Sequence, residues 1–107
     1  MQRRSLIALA SLAVLASAPA FAAGDIKIAH VYSKTGIFEA YGKQTQTGLM
    51  MGLQYATGGT MQVNGKKITV IERDDQGKPD LGKSLLAAAY ADDKVDLAVG
   101  PTSSGVA

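Results

Sequence analysis

The 107-residue chain has no cysteine, no tryptophan, two phenylalanines and a single histidine. Without cysteine there is no disulfide framework, no thiol chemistry and no Cys-based zinc site. The one histidine, His30, falls inside a strand pattern, where a packed, hydrogen-bonded ring is expected rather than a catalytic base. That leaves Ser103 or Ser104 without a partner base for nucleophilic chemistry. The spacing Gly100-Pro-Thr-Ser-Ser-Gly105 also lacks the G-x-S-x-G elbow. A charge excess is missing as well, once the N-terminus is set aside. Removing Arg3 and Arg4 leaves nine basic against nine acidic residues, so the basic balance says nothing about nucleic acid.

Those two arginines open a short leader. Ser5–Ser17 is an apolar run rich in Leu and Ala, and Ala18-Pro-Ala-Phe-Ala22 supplies small residues in the A-x-A arrangement. Residues 1–22 therefore read as a secretory signal peptide cut after Ala22, with an apolar core too short for a membrane-spanning helix. No cysteine follows the cut, which excludes lipid attachment there. Residues 23–107 amount to one small domain, able to bury about 60–65% of its unfolded surface.

Within that domain the patterns alternate. Ile26–Tyr32 is rich in β-branched and aromatic residues and ends at a Ser33-Lys-Thr-Gly36 turn, so it predicts a strand. A helix is expected over Glu39–Ala56, with Tyr41, Thr45, Gly48, Leu49, Gly52, Leu53 and Ala56 on one packed face. Gly48 and Gly52 on that face suggest close backbone approach to a sheet, and Met50 and Met51 read as packing. Thr57-Gly-Gly-Thr60 stops the helix, and Asn64-Gly65 predicts a hairpin turn leading into a second strand, Ile68–Glu72. Asp74-Asp75-Gln-Gly-Lys78 reads as a solvated strand-end loop, without the further carboxylates a metal site needs. Pro79 and Asp80 suit a first helical turn, Leu81, Leu85, Ala88 and Ala89 repeat at helical spacing, and the pattern runs out near Asp92-Asp93. Leu97–Val99 is a third strand, and a helix is set to begin after Ser104. Helical connections between strands imply parallel pairing by right-handed crossovers, hence an α/β fold: a parallel sheet with flanking helices.

Ligands of such sheets sit beyond the carboxyl ends of the strands, where the strand order reverses. With order 2-1-3, the reversal lies between the first and third strands. The loops after them then face each other, making Ser103 and Ser104, with Thr102 and Tyr41, the polar candidates for holding a small anion. The plainer role for these hydroxyls is helix capping. A second motif, Gly77-Lys-Pro-Asp-Leu-Gly-Lys-Ser84, matches the phosphate-loop pattern G-x-x-x-x-G-K-[ST]. Against a nucleotide stand Pro79, which lacks the N–H a phosphate cradle uses, and Asp80, which puts negative charge inside it.

Several segments in order carry a resemblance: Asp25-Ile-Lys-Ile-Ala29, Ser33-Lys-Thr-Gly36, Tyr41-Gly42, Arg73-Asp-Asp75, Asp93-Lys-Val95 and Val99-Gly-Pro-Thr-Ser-Ser-Gly105. The chain resembles the start of the periplasmic solute-binding proteins of the leucine/isoleucine/valine type, the capture subunits of bacterial ABC importers. The resemblance implies a type I periplasmic binding protein lobe with strand order 2-1-3 onward. It implies a hinged two-lobed receptor without catalytic activity or cofactor, located in the periplasm. The expected partners are a small ligand (a branched-chain or other amino acid, an amide or an aromatic carboxylate) and an inner-membrane ABC permease. Position by position, Ser104 resembles the hydroxyl that holds the ligand's α-carboxylate, and Tyr41 the aromatic beside its side chain. Thr102 and Ser103 share the turn with Ser104. The chain departs from the family in lacking a cysteine pair that some members carry. It also ends before the fourth strand and the second lobe, so it is read as the N-terminal part of a first lobe. Two alternatives stay open at this point: a nucleotide-binding protein using Gly77–Ser84, and an inactive truncated product.

Overall fold

The structure, a computed structural model, describes residues 24–107. The signal-peptide reading of residues 1–22 lies outside them. The described chain runs β1 (Ile26–Tyr32), α1 (Glu39–Ala56), β2 (Gln62–Val63), β3 (Lys66–Asp74), α2 (Pro79–Ala91) and β4 (Leu97–Val99). No helix among the described residues is long and apolar enough to cross a membrane.

The four strands form one sheet in the order β2-β3-β1-β4. β1 pairs in parallel with β3 from Ile26 opposite Ile68 to Tyr32 opposite Asp74, and with β4 from Ile28 opposite Leu97 to His30 opposite Val99. The three parallel strands thus stand in the 2-1-3 order that the family resemblance implies. β2 is the antiparallel arm of a hairpin on β3. Its turn residues Asn64 and Gly65 both take positive φ, 51° and 76°, the combination that matches a two-residue loop to strand twist. β3 is longer than the apolar run Ile68–Glu72 because β2 extends one end and β1 holds the other as far as Asp74.

β1 is buried on both faces, which is why its sequence reads as a near-continuous apolar run. Ala29 and Val31 point to α2, in a core with Ala89 and Val95 that Ile71, Leu85 and Ala98 flank. On the alternate residues, His30 meets Gln46 of α1, and Tyr32 lies against Gly42 of the same helix. The helices therefore cover opposite faces.

α1 has the expected bounds but a different inward face. Gly42 is its buried residue, and Gln46, Leu49, Met50 and Leu53 are half-buried, whereas Tyr41, Thr45, Gly48, Gly52 and Ala56 are exposed. Of the expected stripe only Leu49 and Leu53 face inward. The close approach expected at Gly48 and Gly52 occurs instead at Gly42, where an added Cβ would stand 1.9 Å from the Ser33 carbonyl oxygen. A Cβ at Gly48 or Gly52 would meet nothing within 4 Å.

Candidate crevice at the strand ends

β1, β3 and β4 finish side by side, so the segments that follow them meet above the sheet. The turn after β4 starts at Gly100, whose φ is 124° and where a Cβ would stand 1.9 Å from the Val31 carbonyl oxygen. Only glycine lets the chain leave the strand so close to β1. The Gly100-Pro101 peptide is cis. Thr102, Ser103 and Ser104 come next, and Ser104–Val106 forms a single turn closed by the Val106 N–H on the Ser103 carbonyl at 3.0 Å.

Each hydroxyl of this turn is in a different situation. Thr102 Oγ1 accepts the Ser33 N–H at 3.0 Å, joining the β4 turn to the loop after β1. Ser103 Oγ accepts the Gly105 N–H at 3.2 Å, a local capping role. Ser104 is exposed, and its hydroxyl has no partner among the described residues. Tyr41 sits in the first turn of α1 and is 64% exposed. Its neighbour Gly42 packs on the Ser33 carbonyl, and Ser33 in turn holds Thr102. The structure thus gathers Thr102, Ser103 and Ser104 into one turn beside the Ser33 loop and puts Tyr41 on the adjoining helix.

The loop after β3 is built differently from the solvated loop its sequence suggests. Asp75 is completely buried, and its Oδ1 accepts the Ser33 hydroxyl at 2.7 Å and the Gly77 N–H at 2.8 Å. Asp74 accepts the Lys34 N–H at 3.0 Å, the Thr35 N–H at 3.2 Å, the Gln76 N–H at 3.0 Å and the Thr35 hydroxyl at 2.6 Å. Burial alone would raise the Asp74 carboxyl. The Thr35 hydroxyl and the three backbone N–H donors outweigh it and hold the group below its ordinary value. Sequence reasoning missed Ser33, Asp74 and Asp75 as crevice-building residues. The available signal was two acids placed directly where an apolar strand stops.

On the α1 side of the sheet, the His30 ring stacks on Tyr32 with centroids 4.0 Å apart, and its Nδ1 lies 2.6 Å from Gln46 Oε1. Gln46 Oε1 is an acceptor only, which assigns the proton to Nδ1. The Tyr32 hydroxyl donates to Glu72. Burial first, then that hydrogen bond and the negative charges of Glu72 and Asp74, push the Tyr32 hydroxyl far above its ordinary value.

The phosphate-loop geometry is not formed. α2 already begins at Pro79, so Gly82, Lys83 and Ser84 are helical residues. The Gly82 N–H is used on the Lys78 carbonyl at 2.9 Å, and the Ser84 hydroxyl on the Asp80 carbonyl at 3.0 Å. A groove of about 690 Å³ lies between α2 and the 100–107 segment, lined by Val31, Leu86, Tyr90, Ala98, Pro101 and Val106 among others. It is mostly apolar, with Asp80 and Lys83 also in its lining, and Ser104 and Tyr41 do not line it, so it is not the place where hydroxyls converge.

A family model described as periplasmic binding protein matches residues 25–107. Among solved structures, the chain is 62% identical, with a TM-score of 0.76, to an ABC-type branched-chain amino acid transporter from Rhodopseudomonas palustris CGA009, over 77% of this chain and 22% of that one. It is 27% identical, TM-score 0.70, to the branched-chain amino acid transporter substrate binding protein of Streptococcus pneumoniae in complex with isoleucine, over 77% and 23%. It is 31% identical, TM-score 0.61, to an ABC transporter solute binding protein from R. palustris BisB5 in complex with 3,4-dihydroxybenzoic acid, over 70% and 20%. The chain thus spans about a fifth to a quarter of the length of these proteins. A search of curated proteins finds no match to it.

Proposed function

The chain belongs to the periplasmic binding protein family, and from that premise we propose that it serves in the solute-capturing component of an ABC importer, working in the periplasm beside an inner-membrane permease. Capture needs no bond-making chemistry. The Ser104 hydroxyl holds a carboxylate, Thr102 and Ser103 keep the turn in shape, and Tyr41 lies beside the body of the ligand. The observation that carries this reading is the junction at the strand ends, where the Ser33–Thr102 bond fixes a hydroxyl-bearing turn and leaves Ser104 open. The ligand is a small organic acid, either an amino acid or an aromatic carboxylate. The relatives with bound isoleucine and bound 3,4-dihydroxybenzoic acid represent the two kinds.

A nitrogen-15 NMR titration of the chain with isoleucine and with 3,4-dihydroxybenzoate tests the proposal. A hinged receptor closes on its ligand from two sides, so the crevice alone is expected to bind with a Kd of about 1 mM or weaker, about −4 kcal/mol. The shifts should be saturable and centred on Ser103–Val106 for one of the two acids. Ser104→Ala should abolish them at attainable concentrations, because a carboxylate losing its hydroxyl donor loses about 1–3 kcal/mol. Shifts centred on α2, or no response to either acid, would reject it.

A further inference from the structure

Asp75 is the most thoroughly buried acid of the described chain and is not itself one of the residues placed against the ligand. Its contact with the Gly77 N–H is a local turn device, two residues along. Its contact with the Ser33 hydroxyl is different in kind, because it reaches across 42 residues to another loop. Ser33 passes the connection on, its N–H donating to Thr102 Oγ1. The Asp75 N–H donates to the Tyr32 carbonyl at 2.9 Å, so the acid is also fixed from its backbone. The far end of the β4 turn rests nearby. A Cβ built on Gly82 would stand 2.4 Å from Val106 Cγ1 and 3.6 Å from the Asp75 Cβ, so Val106 packs onto α2 directly over the acid's neighbourhood.

We propose that Asp75 is a positioning residue of the crevice: through Ser33, its buried carboxylate sets where the Thr102–Ser104 turn stands, without touching the ligand. The link to binding rests on the reading of that turn as the carboxylate site, whereas the link to geometry does not. A hydrogen-bonded acid under the floor suits this task. Ser33 spends its hydroxyl on Asp75 and its N–H on Thr102, so both ends of the relay are committed. Asp75 Oδ2 has no partner among the described residues. An asparagine can therefore keep Oδ1 as the acceptor for Ser33 and Gly77 without breaking a bond at the other position.

The test follows backbone amides of the full chain by NMR and hydrogen exchange in Asp75→Ala, Asp75→Asn and Ser33→Ala, with isoleucine and 3,4-dihydroxybenzoate as probes. In Asp75→Ala, exchange at the Ser33 amide should speed about tenfold and the Thr102–Ser104 resonances should move, while Ile28 and Val70 in the strands stay put. Asp75→Asn should restore both, which a role through net charge would not produce. Ser33→Ala retains the acid and should move the same turn, so the proposal is decided even if Asp75→Ala does not fold. A folded Ser33→Ala chain with unmoved Thr102–Ser104 resonances overturns it, as does Asp75→Asn behaving like Asp75→Ala. In the probe arm, the response at Ser104 should vanish in Asp75→Ala and return in Asp75→Asn. If neither acid shifts Ser104 in the unaltered chain, the carboxylate reading fails while the amide data still judge Asp75 by themselves.

Discussion

Two glycines of α1 separate packing from propensity. Gly42 lies on the Ser33 carbonyl, and a methyl there would fall 1.9 Å from that oxygen, so backbone must move to admit it. Gly48 faces open space. Gly42→Ala is expected to destabilise the chain by about 1–3 kcal/mol through overpacking. Gly48→Ala should stabilise it by about 0.5–1 kcal/mol through helix propensity. Urea denaturation of the two variants should move in opposite directions, and a shared direction would show that α1 is not seated through Gly42. Asp74 gives the residue scale its pH dependence. Its carboxyl is held below the ordinary 3.8 in the fold, so the ionised form is the one the loop donors stabilise. The unfolded chain takes up its proton first as pH falls, so this contribution is present above the ordinary value and lost as pH drops through the folded one. Asp74→Asn should flatten the fall in stability below about pH 4. An unchanged acid limb in denaturation midpoints would remove Asp74 as its source.

At the scale of elements, what was legible followed from contrast. Ile26–Tyr32 stood out because a strand buried on both faces is apolar without alternation, and Pro79–Ala91 because its proline, first-turn acid and leucine spacing agree. The bounds of α1 were legible from its Thr57-Gly-Gly stop, but its orientation was not. Leu49 and Leu53 are compatible with several rotations, and the half-buried residue one turn earlier is Gln46. A polar residue faces the sheet there because His30 lies beneath it and needs an acceptor, a reason held 16 residues away in the chain. Asp75 was hidden in the same way, since an acid after a strand looks alike whether it meets water or the Ser33 hydroxyl. Gln46→Leu isolates this reasoning. It preserves bulk but leaves the His30 Nδ1–H buried without an acceptor. Moving the proton to Nε2 brings no relief, because that atom also lacks a partner among the described residues. A loss of about 1–3 kcal/mol is expected in urea denaturation. A neutral result would mean that the ring finds another acceptor.

For the whole molecule, β1 links the two sides. It is paired to β3 on one edge and to β4 on the other, presents Ala29 and Val31 to α2, and sends His30 and Tyr32 toward α1. The loop that follows it reaches both neighbouring loops, through Asp74 and Asp75 on one side and Thr102 on the other. A crevice assembled this way takes its rigidity from the strand beneath it, while the turn bearing Ser104 stays exposed above it. Hydrogen exchange should reproduce that gradient. The slowest amides are expected in Ile28–His30, the stretch of β1 bonded on both edges, and the fastest at the exposed Asn64-Gly65 turn, with Ser103–Val106 between them. Isoleucine or 3,4-dihydroxybenzoate at millimolar concentration should slow Ser103–Val106 alone, since a preformed floor has little left to gain from the ligand. If β1 exchanged as fast as the hairpin turn, or if the ligand slowed β1 as much as the turn, the sheet would not be the rigid support that the crevice requires.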